Sequence, residues 1–103
     1  MRLLPLLALA ALPLASLAGC GAFATMQNGG FTVNQGMTLE AFEAVKGRAS
    51  FELDCPKDKI DVVVLAAQGV VPEQIGATGC GHKVVYVATP SGWVVNTQSD
   101  KAK

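Results

Sequence analysis

The 103-residue sequence offers few groups for chemistry. It has a single histidine, His82, and it lacks Cys-x-x-Cys, His-Glu-x-x-His, Gly-x-Ser-x-Gly and any phosphate-binding glycine loop. Each missing motif removes a reacting group: a redox dithiol, a zinc site with its base, a nucleophile elbow, an anion cradle. A lone histidine beside a strand is most simply a solvated residue, because catalysis needs a nucleophile, a base and an orienting group together. Aromatics are also scarce, with four Phe, one Tyr and one Trp, too scattered for a base-stacking platform. An excess of one charge is missing too: eight basic side chains face eight acidic ones, and the two kinds alternate along the chain. That balance gives no electrostatic footprint for nucleic acid and no polybasic membrane patch. Glu40, Glu43, Glu52, Asp54, Asp58, Asp61 and Glu73 read as a solvated face and turn residues. The chain is therefore expected to be non-enzymatic and to need no cofactor or metal.

What is present begins at the amino terminus. Met1-Arg2 supplies a positive start, Leu3 to Leu14 an apolar stretch, and Ala15-Ser16-Leu17-Ala18-Gly19 a small-residue approach to Cys20. This is the layout of a secretory leader. The apolar run is shorter than the roughly 20 residues a membrane-spanning helix requires, and Pro5 and Pro13 interrupt it.

Leu17-Ala18-Gly19-Cys20 resembles the lipobox of bacterial lipoproteins over the whole motif. The resemblance implies cleavage between Gly19 and Cys20, a diacylglycerol on the Cys20 thiol and an acylated new amino terminus. Two or three acyl chains hold a protein on a bilayer where one does not. Gly21 after the cysteine, where an aspartate would retain the protein, implies sorting to the outer membrane. The expected location is thus the bacterial cell envelope, with the membrane as a partner through the lipid anchor.

Removing the leader leaves 84 residues and a charge near −1. A core this small is marginal, and natural domains of its size commonly add a disulfide, a metal or a partner. Residues 21–36 are rich in glycine and amides, with apolar residues too sparse to form a face, and read as a flexible tether. Fully extended it would reach on the order of 50 Å at ~3.3 Å per residue. A short strand around Phe31-Thr32-Val33 is the competing reading.

From Thr38 onward Phe42, Val45, Ala49 and Leu53 recur at intervals of three and four, predicting an amphipathic helix from Thr38 to Leu53. Thr38 is the expected N-cap, Met37 and Phe42 the expected staple across it, and Pro56 the expected stop. The β-branched run Ile60–Leu65 predicts a central strand. Gln68-Gly69 predicts a turn, Glu73–Thr78 a weaker strand with Ile75 and Ala77 facing the core, and Lys83–Ala88 a third strand. Thr89-Pro90-Ser91-Gly92 is turn chemistry ahead of a short fourth strand at Trp93. The simplest assembly is an α+β domain over residues 37–97, one helix packed on an antiparallel sheet of three to four strands. A signal peptide (1–19) and lipid-anchored tether (20–36) precede it, and a polar tail (98–103) follows.

Lipidation of Cys20 leaves an even pair, Cys55 and Cys80, so the cysteine count closes on one bridge. An oxidising envelope favours it, and a loop of roughly 25 residues makes it worth about 3 kcal/mol in the chain-entropy model. The alternative is a thiol- or metal-dependent enzyme or carrier built from Cys55, Cys80 and His82. It has only three candidate ligands, at a spacing not diagnostic of zinc.

Asp54-Cys55-Pro56 and Gly79-Cys80-Gly81, with Tyr86-Val87 in the strand that follows, resemble a pattern of small bacterial lipoproteins of unknown function. The likeness covers Leu53 to Ala88 and implies a compact α+β domain without an active-site assignment. Gln35-Gly36-Met37-Thr38 is similar to the Gly-Met-Thr opening of the small lipoprotein that accompanies the outer-membrane barrel-assembly machinery, a family with two helices before three strands. Tyr86 and Trp93 are the candidate partner-binding residues if they share an exposed face, against the plainer expectation of a core tyrosine and a hairpin tryptophan. The functional expectation is a small protein-binding or structural accessory module with an envelope protein as partner, offering an open sheet edge.

Overall fold

A computed structural model describes residues 23–96. The leader, Cys20 and the 98–103 tail lie outside the described residues. Six strands and one α-helix follow in the order β1 (Thr25–Asn28), β2 (Phe31–Asn34), α1 (Gln35–Leu53), a 3-10 turn (Lys57–Lys59), β3 (Asp61–Gln68), β4 (Val71–Gly79), β5 (His82–Thr89) and β6 (Gly92–Val95). The strands form an antiparallel hairpin, β1-β2, and an antiparallel meander in the order β3-β4-β5-β6. The α+β expectation holds, with one helix packed on antiparallel sheet. Among the described residues no helix is long and apolar enough to cross a membrane.

The described part of the expected tether is folded. Asn28-Gly29-Gly30-Phe31 makes a tight turn in which Gly29 and Gly30 have φ of 61° and 90°. Two consecutive positive φ values are what a two-residue hairpin of right-handed twist demands, and glycine supplies them without a Cβ clash. Val33 is fully buried and Met26, its cross-strand partner, packs against the core, while Gln27 donates to Thr32 on the outer face at 2.7 Å. The short strand at Phe31-Thr32-Val33 was thus the better of the two sequence readings.

The helix starts three residues earlier than the pattern predicts. Asn34 ends β2 in extended conformation, and its side-chain Oδ1 accepts from the Met37 amide at 2.8 Å, so Asn34 is the N-cap. Thr38 is instead fully buried on the inner face of α1. With the cap at Asn34, Met37 lies inside the first turn and is nearly half exposed, so it does not serve as the outer residue of a staple. The far end falls at Leu53 as expected, but the reversal is made by Asp54 in the left-handed region, two residues before Pro56. The amide of Cys55 bonds to the Ser50 carbonyl at 3.1 Å, and the Ser50 hydroxyl donates to the Cys55 carbonyl at 2.6 Å.

Phe42, Val45 and Ala49 of α1 meet Val64, Ile75, Ala77, Val84 and Tyr86 of the sheet in one buried cluster. Ile75 and Ala77 face the core as expected, being 0% and 1% exposed. The β-branched run after the 3-10 turn does not form a central strand, because a meander leaves its first strand at an edge. β3 is nevertheless well covered, since the β1-β2 hairpin lies against it. Asn28 Oδ1 accepts from the Val64 amide at 2.8 Å, and the Asn34 amide donates to the Val70 carbonyl at 2.9 Å.

Candidate functional site

Cys55 and Cys80 are joined in a disulfide with their Cα atoms 5.8 Å apart. Cys55 is buried where the chain leaves α1, and Cys80 sits in the β4-β5 turn with a φ of 50°. The bridge therefore ties the helix exit to the sheet. Gly79 makes the approach possible: a Cβ there would fall 2.8 Å from Ile60 Cδ1 and 3.1 Å from the Cys55 sulfur. With both thiols in the bond, neither is available as a nucleophile or ligand. His82 lies exposed at the start of β5, opposite Gly79. Among the described residues no three His, Cys, Asp or Glu side chains are grouped to hold a metal ion.

Tyr86 and Trp93, paired in the sequence reading, have different fates. Tyr86 is fully buried in the core, so it presents nothing to a partner. Burial pushes its phenol up to about 12, with the Glu52 carboxylate adding to the rise and Arg48 opposing it. Its hydroxyl and that of Thr38 are buried without a hydrogen-bond partner among the described residues. Such atoms each cost about 1–3 kcal/mol, which raises the domain's dependence on its staple. Trp93 is partly buried and packs against the edge of the core.

A groove lies beside Trp93. It has a volume of about 360 Å³ and runs between the first half of α1 and the far end of the sheet. Met37, Ala41 and Ala44 form its helical wall, Pro72, Ala88 and Trp93 its floor, and Glu40 is the charged residue on its rim. α1 leans toward β4, leaving this strip of the inner sheet face only partly covered.

Along the same strip runs the outer edge of β6. The Asn96 amide donates to the Val85 carbonyl at 2.8 Å, which fixes the ladder phase between β5 and β6. Antiparallel alternation then turns the amides and carbonyls of Trp93 and Val95 away from β5. Among the described residues no strand pairs with that edge. β6 carries none of the usual edge protection: Gly92-Trp93-Val94-Val95 has no lysine, no proline and no bulge.

Electrostatics add little here. The Lys57 ammonium, 3.0 Å from Glu43 on the helix surface, holds that carboxylate below its ordinary range. Both side chains are solvent-exposed, so the pair is a surface feature rather than part of a site. The β6 edge could have been found in the sequence as a short strand ending a meander, but the groove could not, because its two walls lie about 50 residues apart in the chain. Comparison with known protein families, curated proteins and solved structures finds no match to this chain.

Proposed function

We propose that this chain is a lipid-anchored, non-enzymatic protein of the bacterial envelope, sorted to the outer membrane, whose stapled α+β domain binds an extended segment of another envelope protein along β6. The observation that carries this reading is the β6 edge, unpaired among the described residues, with the Trp93 groove beside it. An added strand would bond to the outward amides and carbonyls of Trp93 and Val95, and its alternate side chains would drop into the groove. Main-chain bonds supply affinity in such an arrangement, and the groove supplies selectivity for apolar residues at every second position. The anchor rests on Leu17-Ala18-Gly19-Cys20, which places a lipid on Cys20 and so keeps the domain near membrane-bound partners.

Two measurements test the two halves. Mass spectrometry of the native protein is expected to show a chain beginning at lipidated Cys20; an unmodified Cys20 or cleavage elsewhere removes the anchor. For the edge, the full chain is titrated with a synthetic peptide of alternating valine and threonine while amide exchange is followed. Protection of Trp93 and Val95 is expected, and it should vanish in Val95→Pro, which deletes an outward amide without breaking the β5-β6 ladder. Protection spread over other strands, or none, refutes strand addition at β6.

A further inference from the structure

The sheet face opposite α1 carries charged and apolar side chains placed symmetrically about β4. Its register puts three rows of outward side chains across the strands. Asp61, Thr78 and Lys83 form one row, Val63, Gly76 and Val85 the next, and Gln74, Val87 and Val94 a third. Leu65 fills the notch over Gly76, where a Cβ would fall 2.9 Å from Leu65 Cδ1. Val63 and Leu65 are 38% and 44% exposed, with the Gly29 turn of the β1-β2 hairpin approaching Val63.

We infer that this face pairs two copies of the chain about a two-fold axis running along β4. Rotation about that axis exchanges the positions of β3 and β5 and leaves each row at its own height. Asp61 of one copy then faces Lys83 of the other, and the reciprocal pair forms at the same time. Val63 meets Val85 in the same reciprocal way, and the Leu65 side chains that lie over Gly76 meet near the axis. An acid and a base at equal distance on either side of a middle strand, with a matched apolar pair beside them, are complementary only to their own rotated image. An unrelated partner would have to reproduce that pattern. Packed sheets stand about 10 Å apart, a gap that aspartate and lysine side chains bridge.

The size of the face sets the strength. Three strands spaced ~4.8 Å apart and about five residues long give a footprint of roughly 240 Å² per copy. Stable complexes bury about 800 Å² per partner, so the dimer is weak and reversible. It does not rest on the β6 reading: Trp93 and its groove lie on the other face and stay open in the pair.

The test uses the full chain in excess non-ionic micelles, mixing isotopically heavy and light protein and adding a zero-length carbodiimide crosslinker. A heavy-light Asp61–Lys83 link is expected, with dimerisation followed in parallel by sedimentation. Asp61→Lys should weaken dimerisation at least tenfold, because it sets two like-charge pairs against each other. The double variant Asp61→Lys/Lys83→Asp should restore it to within about threefold, since the rotated image is again complementary. Both positions are exposed, and an unchanged melting temperature confirms that folding is intact. A chain that stays monomeric, a single reversal without effect, or a double reversal that fails to rescue overturns the proposal.

Discussion

Along β3 the outermost amide, that of Val64, donates to the side chain of Asn28, and the glycine turn of the β1-β2 hairpin lies against the same peptide. At the other end of the sheet β6 presents Trp93 and Val95 with nothing paired beyond them among the described residues. The two edges belong to one meander and carry similar residues, since β3 is rich in valine and alanine and β6 has two valines and a tryptophan. Only one of them is closed by a dedicated element. An unpaired edge is a template for an added strand, and this asymmetry between β3 and β6 is what the proposed strand addition rests on. The disulfide and the helix cap by Asp54 lie toward the closed side, where Cys55, Ile60 and Gly79 meet.

Breaking the closed side should have the largest effects. Replacing both Cys55 and Cys80 with alanine is expected to lower stability by about 3 kcal/mol, read as the shift in denaturant midpoint at constant slope. A shift under about 1 kcal/mol would mean that the helix exit is held without the bridge. Gly29→Ala comes next. It forces a positive φ on alanine and drives a Cβ into the Val64 carbonyl, with an expected loss of about 2 kcal/mol and greater amide exchange in β1 and β2.

Asn28→Ala sharpens the comparison further, because it removes the side chain that closes the β3 edge and nothing else. Leaving the Val64 amide without its partner should cost about 1 kcal/mol, and exchange at Val64 should rise by roughly tenfold. At the open edge the same class of change should hardly register. Val94→Lys, a charge on a strand with no outer neighbour, is expected to move stability by less than about 0.5 kcal/mol in thermal melts. A large loss there would show that β6 is as integral to the core as β3, and the contrast between the edges would collapse.

Much of the meander was legible because local chemistry and burial agree in it. Ile75 and Ala77 alternate inward as read, Thr89-Pro90-Ser91-Gly92 turns as read, and the helix ends at Leu53. The turn is held by the Thr89 hydroxyl, which donates to the Gly92 carbonyl at 2.7 Å and accepts from the Ser91 amide. The hairpin departs from the tether expectation because glycine and amide content alone does not separate a linker from a turn. Asn28-Gly29-Gly30-Phe31 has the composition of a linker, yet consecutive glycines between two short strands are also the chemistry of a tight hairpin turn. The cap falls at Asn34 rather than Thr38 for a related reason: both are capping residue types, and where β2 delivers the chain decides between them. The groove at Trp93 was illegible, since it exists only where the helix fails to cover the sheet.

The sequence by itself determined the lipobox-like run Leu17-Ala18-Gly19-Cys20, the cysteine positions, the helical and strand periodicities and the shortage of catalytic groups, because each is a property of residue type and spacing. Tertiary structure decided which hydrophobic residues are core and which are surface. Tyr86 and Trp93, equal candidates on paper, separated into a buried ring and a half-open one because α1 leans toward β4 and leaves the β6 side bare. It also decided that the hairpin packs beside β3 while nothing among the described residues pairs with β6, since an edge is defined by what packs beside it. No local pattern carries that information, because burial depends on neighbours that are distant in the chain.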